Sequence, residues 1–262
     1  MKKILILYFS GSGATKTIAN FMIRIYNSDS LSDLCCAEAV RVEDAAHLDF
    51  NQYDAFIVGT PVYHGSPCKM IFDFFSHLAA LDEPKPTFLY NSRGMCSGNT
   101  NRILASHLVK KKFIVVLDRD YRSPASDGAL IAPFVKRFFE FEKDVKDKLR
   151  MDCVDFVTQL NCDSYKGYIP KFRFSSLINA PNKFIGRMIT FKIHLHAQRC
   201  IKCSKCVKNC PHNAIGITDL GFPSIHSNKC ENCYRCIHQC PNMALSLSKK
   251  RPPKKLIKYS DF

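Results

Sequence analysis

Residues 4–9, Ile-Leu-Ile-Leu-Tyr-Phe, form an unbroken apolar run of strand length. That is the pattern of a strand buried on both faces. Apolar positions then recur at helical spacing over 15–26. The alternation continues with a strand at 54–59, a helix at 68–81, a strand at 87–90, a helix near 101–111, a strand at 113–117 and a helix from about 131 to 149. Repeated strand–helix units predict an α/β fold, a doubly wound parallel sheet with helices on both faces, over residues 1–160. In such a sheet ligands bind beyond the carboxyl ends of the strands.

Three small-residue loops fall at those ends. The first is Ser10-Gly11-Ser12-Gly13-Ala14-Thr15. Strand, small loop and helix start together make an anion site, because free backbone amides and hydroxyls converge there. An ordinary turn is the plain alternative. Two nucleotide motifs fail: the dinucleotide fingerprint needs glycine where Lys16 stands, and the P-loop needs glycine directly before that lysine but has Thr15. The second loop is Thr60-Pro61-Val62-Tyr63-His64-Gly65, and the third begins Asn91-Ser92-Arg93-Gly94-Met95. Tyr63 offers an aromatic face or is a partly buried loop residue. His64 is a proton or hydrogen-bond donor, or a solvent-facing loop histidine.

The last quarter of the chain is organised differently. Cys200, Cys203, Cys206 and Cys210, followed by Pro211, recur 30 positions later as Cys230, Cys233, Cys236 and Cys240, followed by Pro241. The repeat is an internal duplication. The spacing C-x2-C-x2-C-x3-C-P is that of a cubane [4Fe–4S] site, where three closely spaced thiolates wrap one corner and the fourth comes from elsewhere. Zinc usually takes pairs of ligands separated by a longer gap. Disulfides belong to secreted chains.

Charge sharpens the division. Residues 1–160 carry 20 Lys+Arg against 19 Asp+Glu, whereas 161–262 carry 18 against 4, so nearly all of the net +15 lies in the cysteine-rich half. Each bound cubane would return roughly two negative charges, and a basic surface would remain. It suits an acidic redox partner. Nucleic acid fits less well, since no stacking-aromatic module or helix-turn-helix pattern accompanies the charge. The 46% hydrophobic content supports a buried core, and no apolar run is long enough to span a bilayer. The N-terminal Met-Lys-Lys precedes only six apolar residues, which reads as a first strand and not a signal peptide. Fourteen cysteines in largely metal-type spacing fit a reducing cytoplasm.

Residues 194–248, on their cysteine runs, resemble bacterial-type two-cluster ferredoxins, a small α+β domain. The resemblance implies two [4Fe–4S] clusters with crossed ligands. One would use Cys200, Cys203, Cys206 and Cys240, the other Cys230, Cys233, Cys236 and Cys210. Residues 1–160, on the hydroxyl–Gly–hydroxyl–Gly–x–Thr loop and the strand–helix layout, resemble flavodoxin-like domains. That implies FMN, with Ser10, Gly11, Ser12, Gly13, Ala14 and Thr15 on its phosphate. Loops 60–65 and 91–98 would flank its ring. Many flavodoxins carry an aromatic about where Met95 stands. Arg93 would neutralise a reduced flavin or cap its loop, and Tyr121 lies near the flavin or in a charged, solvated turn. Taken whole, the chain resembles fused flavodoxin–ferredoxin proteins of the family labelled EFR1-type ferredoxins, which implies electron transfer. A flavin-dependent reductase of a small organic acceptor, quinone or nitro in type, is the alternative, with Tyr63 and His64 as candidate catalytic residues. A redox-sensing binding protein is a second. Residues 161–193 read as a basic and apolar connector with short helices, and 249–262 as a basic, solubilising or partner-steering tail.

Overall fold

A computed structural model describes residues 1–28, 30–162, 165–174, 192–257 and 259. The run 4–9 does build a central strand. β1 (Lys2–Tyr8), β2 (Cys35–Arg41), β3 (Ala55–Tyr63), β5 (Lys85–Arg93) and β6 (Phe113–Arg122) lie in the order β2-β1-β3-β5-β6. All four of their pairings are parallel. The short β4 (Ser66–Pro67) folds back antiparallel onto β3.

Side chains alternate across this sheet with the period of two that a pleated strand imposes. Ile4, Ile6 and Tyr8 join one apolar layer with Ile18, Met22 and Tyr26 of α1 (Ala14–Tyr26) and Leu149 and Phe156 of α5 (Val145–Asn161). Leu5, Leu7 and Phe9 join the opposite layer with Ile71 and Phe75 of α2 (Lys69–His77) and Leu104 and Leu108 of α3 (Thr100–Leu108). The sheet is thus covered on both faces by helices, in flavodoxin-like fashion.

Three features differ from the sequence reading. β2 lacks a continuous apolar run, because it is an edge strand whose outer positions are partly exposed. The helix expected over 131–149 is broken. α4 (Ser126–Ile131) stops at Ala132 with φ −127 and ψ 71, directly before Pro133, where the proline ring disfavours helical geometry. A 3-10 turn at Lys136–Phe139 intervenes before α5 begins. The expected loop after 117 is instead the end of β6. Tyr121 is buried there and donates to Asp152 Oδ2 at 2.7 Å. It is not in a solvated turn.

The cysteine-rich half is small and built from short pieces. β7 (His194–Leu195) pairs antiparallel with β10 (Leu245–Ser246), and β8 (Ile215–Ile217) with β9 (Pro223–Ile225). α6 (Lys205–Lys208) and α7 (Arg235–His238) each carry the third cysteine of a run, Cys206 and Cys236. The duplication is visible in the backbone. Positive φ recurs at Lys202 and Asn232, at Ser204 and Tyr234, and at Asn213 and Met243. Residues 165–174 run without helix or strand. They are tied down by Tyr168 N–H on Val115 O at 2.9 Å and by Arg102 Nη1 on Pro170 O at 2.8 Å. Residues 163–164 and 175–191 of the connector, and with them the short helices expected there, lie outside the described residues.

Gly59 sits in β3 beside the Tyr90 ring, whose hydroxyl donates to Thr15 O at 3.0 Å. A Cβ at Gly59 would stand on that ring. Gly59→Ala should therefore cost about 1–3 kcal/mol by overpacking, read as a lower urea midpoint at unchanged slope. An unchanged midpoint would show that Tyr90 moves freely.

Candidate functional site

Ser10, Gly11, Ser12, Gly13, Ala14 and Thr15 connect β1 to α1. Ser10 Oγ accepts the Lys16 amide at 3.2 Å, and Thr15 Oγ1 shares a 2.8 Å hydrogen bond with Ser92 Oγ from the third loop. Gly13 has φ +123, outside the range of L side chains. Gly11 is required for space: a Cβ there would meet the Tyr63 hydroxyl and lie 2.5 Å from the Cys233 carbonyl.

The second loop reverses at His64 (φ 50) and Gly65 (φ 71), which gives the paired positive dihedrals of a two-residue hairpin turn. His64 is thereby held outward and exposed. In the third loop Arg93 pairs with Asp120 and donates to Met95 O at 2.8 Å, so it caps the loop. Burial raises the Asp120 carboxyl, but bonds from Arg93 and Arg173 hold it below its ordinary value overall. Met95 projects into solvent at 68% exposure.

A cavity of about 970 Å³ opens between these loops. Ser10, Gly11, Ser12, Ala14 and Thr15 line it, as do Pro61, Val62, Tyr63, His64 and Gly65, and Ser92, Gly94 and Met95. Four candidates do not. Gly13 lies under Tyr259. Thr60 accepts the Cys68 amide at 3.2 Å. Asn91 donates to Asn101 Oδ1 at 3.0 Å. Arg93 is engaged as described. Two walls were not visible in the sequence. One is the segment 123–128, against which Gly94 packs so tightly that a Cβ would lie 2.6 Å from Ala125 Cβ. The other is Glu231, Asn232 and Tyr234, which come from the second cysteine run. Hydroxyls and free amides at one end, bare glycine positions along the wall and a mixed polar and apolar lining fit a phosphorylated flavin.

The cysteines gather around two smaller cavities. Cys200, Cys203, Cys206 and Cys240 line one; Cys210, Cys230, Cys233 and Cys236 line the other. The fourth cysteine of each run thus stands with the first three of the other run. All fourteen cysteines are free of disulfides. Among the described residues no three His, Cys, Asp or Glu side chains converge on a single ion. Thiols ringing a space suit a polynuclear cluster better than zinc. The Ala214 amide donates to Cys210 Sγ and the Ala244 amide to Cys240 Sγ, each at 3.2 Å. Burial pushes the Cys233 thiol up to about 11 and raises those of Cys206 and Cys230. Thiolates in such a place need positive charge beside them, which iron supplies.

The two halves are locked by Arg235, whose side chain is 5% exposed. Its Nη2 lies 2.6 Å from Glu43 Oε1. Nη2 and Nε donate to Ser10 O at 2.9 and 3.2 Å, and the guanidinium sits 5.0 Å from the Phe9 ring centre. Cys233 belongs to the same apolar layer as Leu7 and Phe9. His238 Nε2 lies 3.0 Å from Ser126 O at the start of α4.

Comparisons agree with this architecture. Residues 5–111 match a family model described as a flavodoxin domain, and residues 199–254 match one described as a 4Fe-4S dicluster domain. The chain therefore joins a flavodoxin domain to a 4Fe-4S domain. Such a pair supports electron transfer involving FMN and iron–sulfur, and implies a redox partner. Similar solved structures include a flavodoxin from the domain Archaea (15% identity, 60% of this chain and 98% of that one, TM-score 0.46). Another is the two-electron reduced flavodoxin of Megasphaera elsdenii (25%, 45% and 84%, 0.39). A third is a WrbA-like flavodoxin from Agrobacterium tumefaciens (16%, 63% and 100%, 0.46). No curated protein matches the chain. Among the described residues no helix is long and apolar enough to cross a membrane.

Removing one partner of a buried ion pair strands the other. Arg235→Met alone should lower stability by about 3–5 kcal/mol, and adding Glu43→Leu should recover most of it. Urea unfolding of the single and double variants reads the difference; equal losses in both would mean the pair is not coupled.

Proposed function

We propose that this chain carries electrons between two [4Fe–4S] clusters and FMN, linking a low-potential one-electron donor to a second redox partner. We divide it into a flavodoxin-like domain at 1–160, a connector at 161–193, a two-cluster ferredoxin domain at 194–248 and a tail at 249–262, and place it in the cytoplasm. When bound, the clusters supply one-electron chemistry and FMN a store for one or two electrons.

The chain's residues divide that work. Cys200, Cys203, Cys206 and Cys240 hold an outer cluster, and Cys210, Cys230, Cys233 and Cys236 an inner one. Loop 10–15 binds the flavin phosphate, while 61–65 and 92–95 flank the ring, with Tyr63 against it. The observation that carries this order is a shared wall. Glu231 and Tyr234 line both the inner cysteine cavity and the cavity between the flavodoxin loops, whereas no residue of the outer cysteine cavity does. Electrons entering at the outer site thus reach the flavin through the inner one.

The outer loop also supports an acidic partner. Cys203 is exposed and Ile201 is 59% exposed, amid the exposed Arg199, Lys202, Lys205 and Lys208. An acidic protein would be steered to that patch. The second reading, a reductase of a quinone or nitro compound, is favoured by the cavity's breadth and by the exposed His64 and Met95 on its wall. Sustained turnover of such an acceptor without a protein partner would select it.

Cys240→Ser should lose the outer cluster alone, read by iron content and EPR, with FMN still bound. Two intact cubanes in that variant would reject the ligand assignment. Cys230→Ser should leave the outer cluster reducible by a protein donor but stop reduction of the flavin by that donor; undiminished flavin reduction would reverse the order of the sites. Lys202→Glu with Lys205→Glu should slow reduction by an acidic donor and flatten its salt dependence, measured by stopped flow.

A further inference from the structure

The tail does not run free. Leu256 packs on the apolar cluster of the cysteine-rich half, and Ile257 is 5% exposed. Lys255 Nζ lies 4.5 Å over the Phe139 ring, and the Tyr259 ring stands edge-on to Phe141 with centres 6.2 Å apart. This strap brings Tyr259 to the loop between β1 and α1. Its hydroxyl donates to Ser12 Oγ at 3.1 Å, with the Ala14 amide beside the same phenol oxygen. Its ring fills the side of Gly13, where a Cβ would lie 2.5 Å from Cε2.

The donors at this helix start are few. The Lys16 amide is taken by Ser10 Oγ and the Thr17 amide by Gly13 O. Ala14 N–H and the Ser12 hydroxyl are among the groups left to meet an anion, and the phenol stands over both, donating to Ser12 Oγ. We propose that the C-terminal strap is a tethered competitor for the phosphate loop: Tyr259 docks on Ser12, Gly13 and Ala14, and a phosphate monoester displaces it. This rests on the reading of loop 10–15 as the FMN phosphate site.

The chemistry favours exchange. Burial pushes the Tyr259 phenol well above its ordinary value, so at neutral pH it is an uncharged group facing a helix start that prefers negative charge. A phosphate dianion there would accept from the Ser12 hydroxyl and the backbone amides in charge-assisted bonds, which are stronger than the neutral one the phenol makes. The strap therefore satisfies the loop without FMN and opposes binding only by the worth of its own contacts. Its anchor at Leu256 packs on the cysteine-rich half, so occupancy of the phosphate loop is felt on that half.

The test compares FMN with riboflavin, which lacks the phosphate, on full-length, cluster-loaded protein stripped of flavin. Tyr259→Ala should tighten FMN roughly two- to tenfold, the worth of about one net hydrogen bond, and leave riboflavin unchanged. Tyr259→Phe, which keeps the ring against Gly13, should give a smaller part of the gain. Hydrogen exchange of the 254–259 amides should rise when FMN or inorganic phosphate is added, and not with riboflavin. FMN binding that Tyr259→Ala leaves unchanged or weakens overturns the strap, as does protection that survives saturation with FMN. Failure of every variant to bind either flavin removes the FMN reading itself, and the strap with it.

Discussion

A single buried guanidinium sets where the two halves meet. Arg235 stands between Cys233 and Cys236, so whatever holds it also holds the inner cysteine loop. What holds it is the carboxylate of Glu43 on one side and the carbonyl of Ser10 on the other, with Phe9 beneath. A planar five-donor cation is suited to such a place, because its fork fixes direction as well as charge. Lysine would offer a point charge with no such orientation. Since Ser10 opens the loop 10–15, one side chain positions both the inner cysteine site and the start of the candidate flavin site.

Around that contact the small residues acquire their purpose. Gly11 admits the Tyr63 hydroxyl and the Cys233 carbonyl to the loop, and Gly94 admits Ala125. A side chain at either would push apart the walls that the cavity needs close. Electron transfer between cofactors demands a short, constant separation more than it demands acid–base chemistry. An interface of buried ion pair, backbone hydrogen bonds and apolar packing supplies that constancy. His238 on Ser126 and Leu130 against the cysteine-rich core extend it toward α4. The outer cysteine loop is left outside this lock, exposed and basic.

Several elements were legible because their signals are local. The run at 4–9 is a central strand because both its faces are buried. Loop 10–15 falls at a strand's carboxyl end because parallel strands and their crossover helices place it there. β2 was silent since an edge strand needs only one well-covered face and no continuous apolar run. The sequence 131–149 has helical periodicity, but Pro133 outweighs it. The charges of 118–122 suggested a solvated turn. In the fold they pair across the structure, Arg119 with Asp152 at 2.6 Å and Arg93 with Asp120, and so allow a polar stretch to finish a strand.

The sequence by itself determined the α/β layering, the cysteine duplication and the charge divide, because periodicity, ligand spacing and composition are all read along the chain. Only the tertiary structure decided that Glu231 and Tyr234 share a wall with the flavodoxin loops, and that Glu43 meets Arg235. It also decided that Tyr259 reaches Ser12. These are contacts between residues far apart in the chain, created by packing two halves together. No local pattern encodes them, since a buried arginine and a surface arginine are written with the same letter.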